Sequence, residues 1–177
     1  MSPERQIVRW ESTTDSSLCG VEVTGAALGE PNEAGAEFSN PTFVLASLGS
    51  AKPADVAVAI SRASAAYGNA RPCMALDASA FFALDARFLS ERNVGLVLDH
   101  VDETTPLNAV SAELIEAVRF EPSFIRRAMK DGRLACVLDA MLRLAHDLGI
   151  ATLGTSAGRM ARAGERFDFD YVSVSTS

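Results

Sequence analysis

Short apolar runs alternate with longer amphipathic stretches along this chain of 177 residues. The apolar runs have the length and composition of buried strands. They are residues 73–76, 94–98, 117–120, 150–153 and Tyr171–Val174. Helices are predicted between them, at residues 53–67 followed by Gly68, at about 78–91 and at 106–115. Because this alternation is typical of parallel βαβ units, we expect an α/β fold with helices packed on a parallel sheet.

The clearest local signal is an amphipathic helix between Glu121 and Gly149. Pro122 is suited to the first turn of this helix, and Asp131 is suited to cap its main part. Gly149 is the kind of residue that ends a helix in a left-handed conformation. Apolar side chains recur between them at helical spacing and form one stripe. They are Leu134, Val137, Leu138, Met141, Leu142, Ala145 and Leu148.

Composition supports one domain over residues 1–177, in which the Gly- and Pro-containing segment 25–41 is a long loop. The chain is 48% hydrophobic and 22% charged, as in ordinary globular proteins. A formal net charge of −7 disfavours nucleic acid as a partner. The sequence has no signal peptide and no run of about 18 apolar residues, so we expect a cytoplasmic protein without a membrane partner.

Three cysteines, Cys19, Cys73 and Cys136, are widely spaced along the chain. No C-x-x-C pair suggests a zinc or redox site. Because free cysteine is among the residues most often buried, we predict that all three are reduced thiols of the core.

Acidic residues lie at the ends of several apolar runs. Asp77, Asp99 and Glu121 each directly follow a predicted strand, and Glu22 lies inside the run LCGVEV. Ligands of parallel barrels and open α/β sheets bind at the carboxyl ends of the strands. Carboxylates that converge there can hold a divalent cation, which positions a phosphodiester and activates water. The alternative is that Asp77 and Asp99 cap the helices that follow them.

The segment GTSAG, residues 154–158, fits the G-x-S-x-G pattern of α/β-hydrolases, with Ser156 as nucleophile. Those enzymes place their histidine after the serine, whereas His100 and His146 both precede Ser156. A hydrolase is therefore not expected. Two interpretations of the segment remain: a loop whose backbone N–H groups hold a phosphate, and a plain turn of small residues.

Residues 93–124 resemble the part of the EAL domains, the cyclic-di-GMP phosphodiesterase family, that runs from the Asp-Asp-Phe-Gly segment to the Lys-Ile-Asp segment. Residues 125–153 resemble the helix and strand that follow in the family. GVEVT at residues 20–24 resembles the family's Gly-Val-Glu-Ala-Leu and makes Glu22 the signature glutamate. The resemblance implies a (β/α) barrel of the TIM type. The family's domain is longer, so we expect a barrel shortened by about one β/α unit, with an incomplete barrel as the alternative.

The same resemblance implies that the family's chemistry has been lost. Catalysis in the family uses two metal ions, held by several carboxylates, together with a lysine. Asp99 matches the first aspartate, but His100 replaces the second. Arg119 stands at the lysine position, and Glu121 replaces the neighbouring aspartate. The family's Ala-Glu-Gly-Val-Glu segment falls on residues 154–158, which contain no glutamate.

Two further positions bear on ligand binding. Asp77 matches either the asparagine of the family's Asn-Leu-Ser strand or a later glutamate. The family's phosphate-binding arginine shortly after the signature glutamate has no counterpart, because the sequence after Glu22 reads Val-Thr-Gly-Ala.

We therefore expect a non-catalytic regulatory module of bacterial signalling, with no metal or other cofactor, that acts through a protein partner or self-association. The alternative is a receptor that binds cyclic-di-GMP or a related phosphate ligand without hydrolysing it. The candidate ligand-binding residues are Glu22, Asp99, Arg119 and Glu121, beside the GTSAG loop.

Overall fold

Strands of the described residues form a closed barrel in this computed structural model, which describes residues 7–15, 17–23, 41–47, 53–67, 70–83, 93–106, 115–155 and 166–174. The strands are β1 Ile7–Ser12, β2 Leu18–Val23, β3 Phe43–Ser47, β4 Arg71–Leu76, β5 Gly95–Val101, β6 Ile115–Phe120, β7 Ala151–Thr155 and β8 Tyr171–Val174. Neighbours in the chain are neighbours in the barrel, and β8 pairs with β1 to close it. The ring keeps eight strands, so the alternative of an incomplete barrel does not hold.

Four helices are described outside the ring: α1 Pro53–Ala66, α2 Ala78–Ala83, α3 Pro122–Ala128 and α4 Gly132–Asp147. The expected α/β barrel of the TIM type is thus confirmed. No helix in the described ranges is long and apolar enough to cross a membrane.

One strand departs from the parallel arrangement. β1 pairs antiparallel with both β2 and β8, whereas every other neighbouring pair is parallel. The reason is the short connection from Ser12 to Leu18, because a parallel crossover needs about a dozen residues or more. The expectation of a purely parallel sheet was wrong for this strand.

Side chains alternate along each strand between the barrel interior and the layer under the helices. The interior holds a small apolar cluster. Its buried members are Trp10, Leu45, Cys73, Ala75, Val97, Ala117 and Leu153. Along β5, Leu96 and Leu98 belong instead to the larger core that includes the helices. Since Asp99 is two residues beyond Val97, the same period directs it to the inner side of the barrel.

The predicted helix between Glu121 and Gly149 is two helices, α3 and α4. They are separated because Asp131 leaves the helical conformation and its carboxylate accepts hydrogen bonds from the backbone N–H groups of Arg133 and Leu134. Capping by Asp131 is thereby confirmed, and so is the left-handed Gly149, whose φ is 70°. Two residues of the predicted buried stripe, Val137 and Leu148, are exposed instead.

Several other predictions need correction. Ile115 begins β6 and is not helical, and Tyr67 lies in a turn after α1. Of the predicted core thiols, Cys73 is buried, Cys19 is half-buried and Cys136 is exposed on α4. The predicted loop over residues 25–40, Gly68, the helical predictions over 84–91 and 107–114, and residues 156–158 of the GTSAG segment lie outside the described residues.

Candidate functional site

Arg119, near the end of β6, reaches across the mouth at the carboxyl ends of the parallel strands. Its Nε donates to Asp99 Oδ1 at 2.6 Å, and its Nη1 donates to Glu22 Oε1 at 2.6 Å. Nη2 donates to Asp99 Oδ2 and, at 3.0 Å, to Ser47 Oγ. The Ser47 hydroxyl donates in turn to Glu22 Oε1 at 3.3 Å. One guanidinium therefore joins β2, β3, β5 and β6.

This network is buried. Glu22 and Asp99 are each 6% exposed, and Arg119 is 9% exposed. Burial by itself lowers the pKa of Arg119, but the hydrogen bond to Asp99 and the charges of Glu22 and Asp99 outweigh burial and raise that pKa above its usual value. Arg119 is thus a permanent cation, held between two carboxylates.

Asp99 owes its position to an irregularity in β5. The register between β5 and β6 shifts between Leu98 and Val101, and His100 has a φ of 54°, in the left-handed region that a side chain with a Cβ rarely adopts. The His100 N–H donates to Asp99 Oδ1 at 2.7 Å. Asp99 is therefore a buried partner of Arg119 and not a helix cap, so the capping alternative was wrong at this position.

The capping alternative is correct for Asp77. Its Oδ1 accepts the backbone N–H of Ala80 and the hydroxyl of Ser79, both at 2.7 Å, at the start of α2. These hydrogen bonds lower the pKa of Asp77. Its carboxylate is exposed, and it also feels the charge of His100 at the same mouth.

Glu121 lies beside this network and contacts it through His100. His100 Nδ1 is 2.6 Å from Glu121 Oε2, and His100 Nε2 is 3.7 Å from Asp99 Oδ2. The hydrogen bond raises the pKa of His100 and lowers that of Glu121. Glu121 also caps α3 by accepting the backbone N–H of Ser123. The His100 side chain is 65% exposed, so this pair faces solvent.

The structure thus brings Glu22 and Asp99 into direct contact with Arg119. Glu121 does not contact Arg119 and is connected to Asp99 through His100. Their role in binding a ligand stays a prediction. Ser47 was missed, although it ends the apolar run FVLAS in the way that Asp99 follows VGLVL. The carboxylates were selected because they lie at the carboxyl ends of predicted strands. The same criterion selects Ser47 once the run FVLAS is recognised as a strand.

The residues present do not fit the pair of metal ions that the EAL resemblance implies. Glu22 and Asp99 already direct their oxygens at a guanidinium, whose positive charge repels a second cation at that distance. Within the described ranges, no group of three or more His, Cys, Asp or Glu side chains is arranged to hold a metal ion. Two carboxylates and a hydroxyl are too few for two divalent cations.

The second histidine has a local role. His146 Nε2, on α4, is 3.3 Å from Asp170 Oδ2 and 3.4 Å from Thr152 Oγ1. The Asp170 carboxylate also accepts the N–H and the hydroxyl of Thr152, each at 2.8 Å. His146 therefore joins the end of α4 to β7 and the start of β8. Of the GTSAG segment, Gly154 and Thr155 belong to β7.

The closed barrel with one antiparallel strand and a polar mouth at its carboxyl ends is a mixed α/β barrel of the TIM type, and its fold matches that of EAL domains. Among solved structures, the chain is similar to the phosphodiesterase PaMucR in complex with c-di-GMP, with a TM-score of 0.69, 12% identity, and coverage of 96% of this chain and 88% of that one. It is also similar to the EAL domain of Mycobacterium smegmatis DcpA, with a TM-score of 0.66, 14% identity, and coverage of 96% and 86%.

A standalone EAL protein from Vibrio cholerae O395, in its c-di-GMP-bound form, matches with a TM-score of 0.67 and 12% identity over 98% of this chain and 90% of that one. No protein-family model matches the sequence, and no curated protein is significantly similar to it. The resemblance to EAL domains is therefore confirmed at the level of the fold.

Proposed function

We propose that this protein is a non-hydrolytic regulatory module with the EAL fold, acting in the bacterial cytoplasm by binding a protein partner or a second copy of itself. The observation that carries the proposal is the contact of Arg119 with both Glu22 and Asp99. By the resemblance, these carboxylates stand where active enzymes of the family hold metal ions. Here a cationic side chain of the protein lies between them and offsets part of their negative charge.

Hydrolysis in the family is understood to need metal-bound water and a lysine. Arginine does not give up its proton in proteins, so Arg119 cannot act as a base. It also donates four hydrogen bonds to Glu22, Asp99 and Ser47, which leaves little of the guanidinium to orient water or substrate. These points support a mouth that no longer performs the reaction.

The charge of the mouth also bears on the alternative of a cyclic-di-GMP receptor. Each phosphodiester of that ligand is an anion, and Arg119 is buried against protein carboxylates rather than directed at solvent. Among the described residues at the mouth, Asp77 and His100 are exposed and Glu121 is half-buried, so acidic charge predominates. This surface favours a partner with basic groups over a dianionic nucleotide.

The receptor alternative is favoured by a different observation. PaMucR and the Vibrio cholerae EAL protein, which have the same fold, were solved with c-di-GMP bound. The two functions differ in one measurable property, namely whether the mouth binds the nucleotide at all.

Isothermal titration calorimetry of the full chain with cyclic-di-GMP, with and without Mn²⁺, separates the two functions. We expect neither heat nor turnover, while the Vibrio cholerae EAL protein serves as the binding control. Saturable binding would establish the receptor instead. Mn²⁺-dependent turnover that disappears in Glu22→Ala and Asp99→Asn would establish an enzyme.

The interaction with a protein is tested separately. Affinity capture from native cells, followed by mass spectrometry, is expected to recover a stoichiometric partner, or analytical ultracentrifugation is expected to show self-association. A double variant that removes two acidic charges from the mouth, Asp77→Asn with Glu121→Gln, tests whether the mouth forms the contact with the partner. A monomer that captures no protein in stoichiometric amount would contradict the proposal.

A further inference from the structure

We infer that Arg119 is a tethered substitute for the divalent cations of an EAL-type mouth, so that the mouth is held together without metal. The inference rests on the proposed non-hydrolytic role and adds what maintains the site. It makes no assumption about the protein partner. Its test measures dependence on metal, so its failure is distinguishable from failure of the partner experiment.

The geometry is that of a cation among oxygen ligands. Asp99 Oδ1 and Glu22 Oε1 each lie 2.6 Å from a guanidinium nitrogen. Both are short, charge-assisted hydrogen bonds, so the carboxylate oxygens are directed at Arg119 as they would be at a bound cation. The Ser47 hydroxyl supplies another oxygen, 3.0 Å from Nη2.

Electrostatics explains why a cation is required here. Glu22 and Asp99 are each 6% exposed, so water cannot screen their mutual repulsion. Without Arg119, the two buried carboxylates would either take up a proton or recruit a cation from solution. Arg119 removes this choice because it is always charged and always present.

The length and shape of arginine matter as well. Nε and Nη2 bond both oxygens of Asp99, while Nη1 bonds Glu22 on the far side of the mouth. A lysine has one ammonium group and cannot form this arrangement with both carboxylates. Replacement of the family's lysine by arginine is therefore the change that lets a side chain take the place of a metal ion.

The test compares thermal unfolding in EDTA and in millimolar Mn²⁺ for the wild type, Arg119→Ala, Arg119→Lys and the double variant Arg119→Ala with Glu22→Gln. We expect the Tm of the wild type to be indifferent to Mn²⁺. Arg119→Ala should have a lower Tm in EDTA and gain about 2–4 °C in Mn²⁺, because the metal binds only the folded mouth. Arg119→Lys should lie between the wild type and Arg119→Ala in EDTA.

The double variant is the matched control, since it lacks both the cation and one of the carboxylates. In EDTA it should be more stable than Arg119→Ala, and Mn²⁺ should add less to its Tm. Electron paramagnetic resonance of Mn²⁺ supplies a direct reading, with a bound signal expected in Arg119→Ala and absent from the wild type. Mn²⁺ binding to the wild-type mouth, or a folded Arg119→Ala that ignores Mn²⁺, would overturn the inference. If Arg119→Ala does not fold, the inference would also be overturned by a double variant, Arg119→Ala with Glu22→Gln, that does not fold either.

Discussion

Single residues at the mouth are held in conformations that their neighbours enforce. His100 has a positive φ that is unusual for a residue with a Cβ, and its backbone N–H and its ring are held by Asp99 and Glu121. Because of this backbone conformation, the consecutive side chains of Asp99 and His100 make contacts with different partners. Asp99 faces Arg119 in the interior, while the exposed His100 reaches the half-buried Glu121.

The pair of His100 and Glu121 makes the mouth sensitive to pH. Its hydrogen bond raises the pKa of His100 above 6.5, so the stabilisation from protonated His100 is complete below that value and is lost as pH rises through the folded pKa. The pKa of Glu121 is lowered below 4.5, so its contribution is present above that value and is lost as pH falls through its own folded pKa. The ion pair is therefore strongest in the mildly acidic range between the lowered pKa of Glu121 and the raised pKa of His100.

We predict that Glu121→Gln lowers the pKa of His100, because the carboxylate that stabilises the imidazolium is removed. The measurement is an NMR titration of the His100 ring proton, with assignment by a His100→Gln variant. Glu116→Gln is the matched control, since Glu116 is on β6, the strand that directly precedes Glu121, but pairs with Arg71 at the opposite end of the barrel. A His100 titration that is the same in Glu121→Gln as in the wild type would show that the pair does not form in solution.

Elements of this fold depend on specific residues at their ends and crossings. Asp131 separates α3 from α4 because its carboxylate satisfies N–H groups that the first turn of α4 leaves free. Gly20 on β2 lies where the aromatic ring of Phe43 on β3 crosses it. Both positions can be tested with substitutions to alanine that have matched controls.

Asp131→Ala should destabilise the protein by about 1 kcal/mol, because the cap of α4 is lost. Urea denaturation followed by circular dichroism measures this change. Asp147→Ala makes the same substitution at the other end of α4, where a negative charge opposes the helix dipole. It should be neutral or slightly stabilising, and equal losses from both variants would argue against the capping role.

Gly20→Ala should destabilise the protein by about 1–3 kcal/mol, because a Cβ there would clash with the ring of Phe43. Gly132→Ala is the control, since a Cβ at the start of α4 would meet nothing within 4 Å. That control should be neutral or stabilise by about 0.4–1 kcal/mol through the unfolded state. The free energies of unfolding of the two variants, compared in urea, decide whether β2 and β3 pack as closely as described.

At the scale of the whole molecule, local patterns predicted the class of fold and most of the mouth. Alternating strands and helices indicate an α/β fold with a parallel sheet, and the resemblance to EAL domains implies that the sheet is a barrel. Carboxylates at strand ends converge because parallel strands end at one rim. The bond between Arg119 and Glu22 could not be predicted this way, because it joins strands on different sides of the ring, 97 residues apart in sequence. The direction of β1 was missed because the run IVRWES was not recognised as a strand.

Trp10 offers a test of the barrel as one cooperative unit. It is the single tryptophan, it is fully buried on β1, and it belongs to the interior cluster that strands from around the ring share. We expect its fluorescence and the far-UV circular dichroism to report the same midpoint in urea, because opening the ring exposes this cluster at once. A fluorescence transition at clearly lower urea would mean that β1 detaches before the rest of the barrel unfolds.

The seam between β1 and β8 has a consequence for how the chain is made. Arg9 and Val174 lie side by side there, and the Thr13 hydroxyl donates to the Phe169 carbonyl 156 residues further along the chain at 2.5 Å. During synthesis, which proceeds from the amino terminus, β1 is complete long before its second neighbour exists. Until β8 leaves the ribosome, β1 and β7 each present an unpaired edge to the crowded cell. Among the described strands, synthesis of β8 is therefore the event that removes the last two edges open to aggregation.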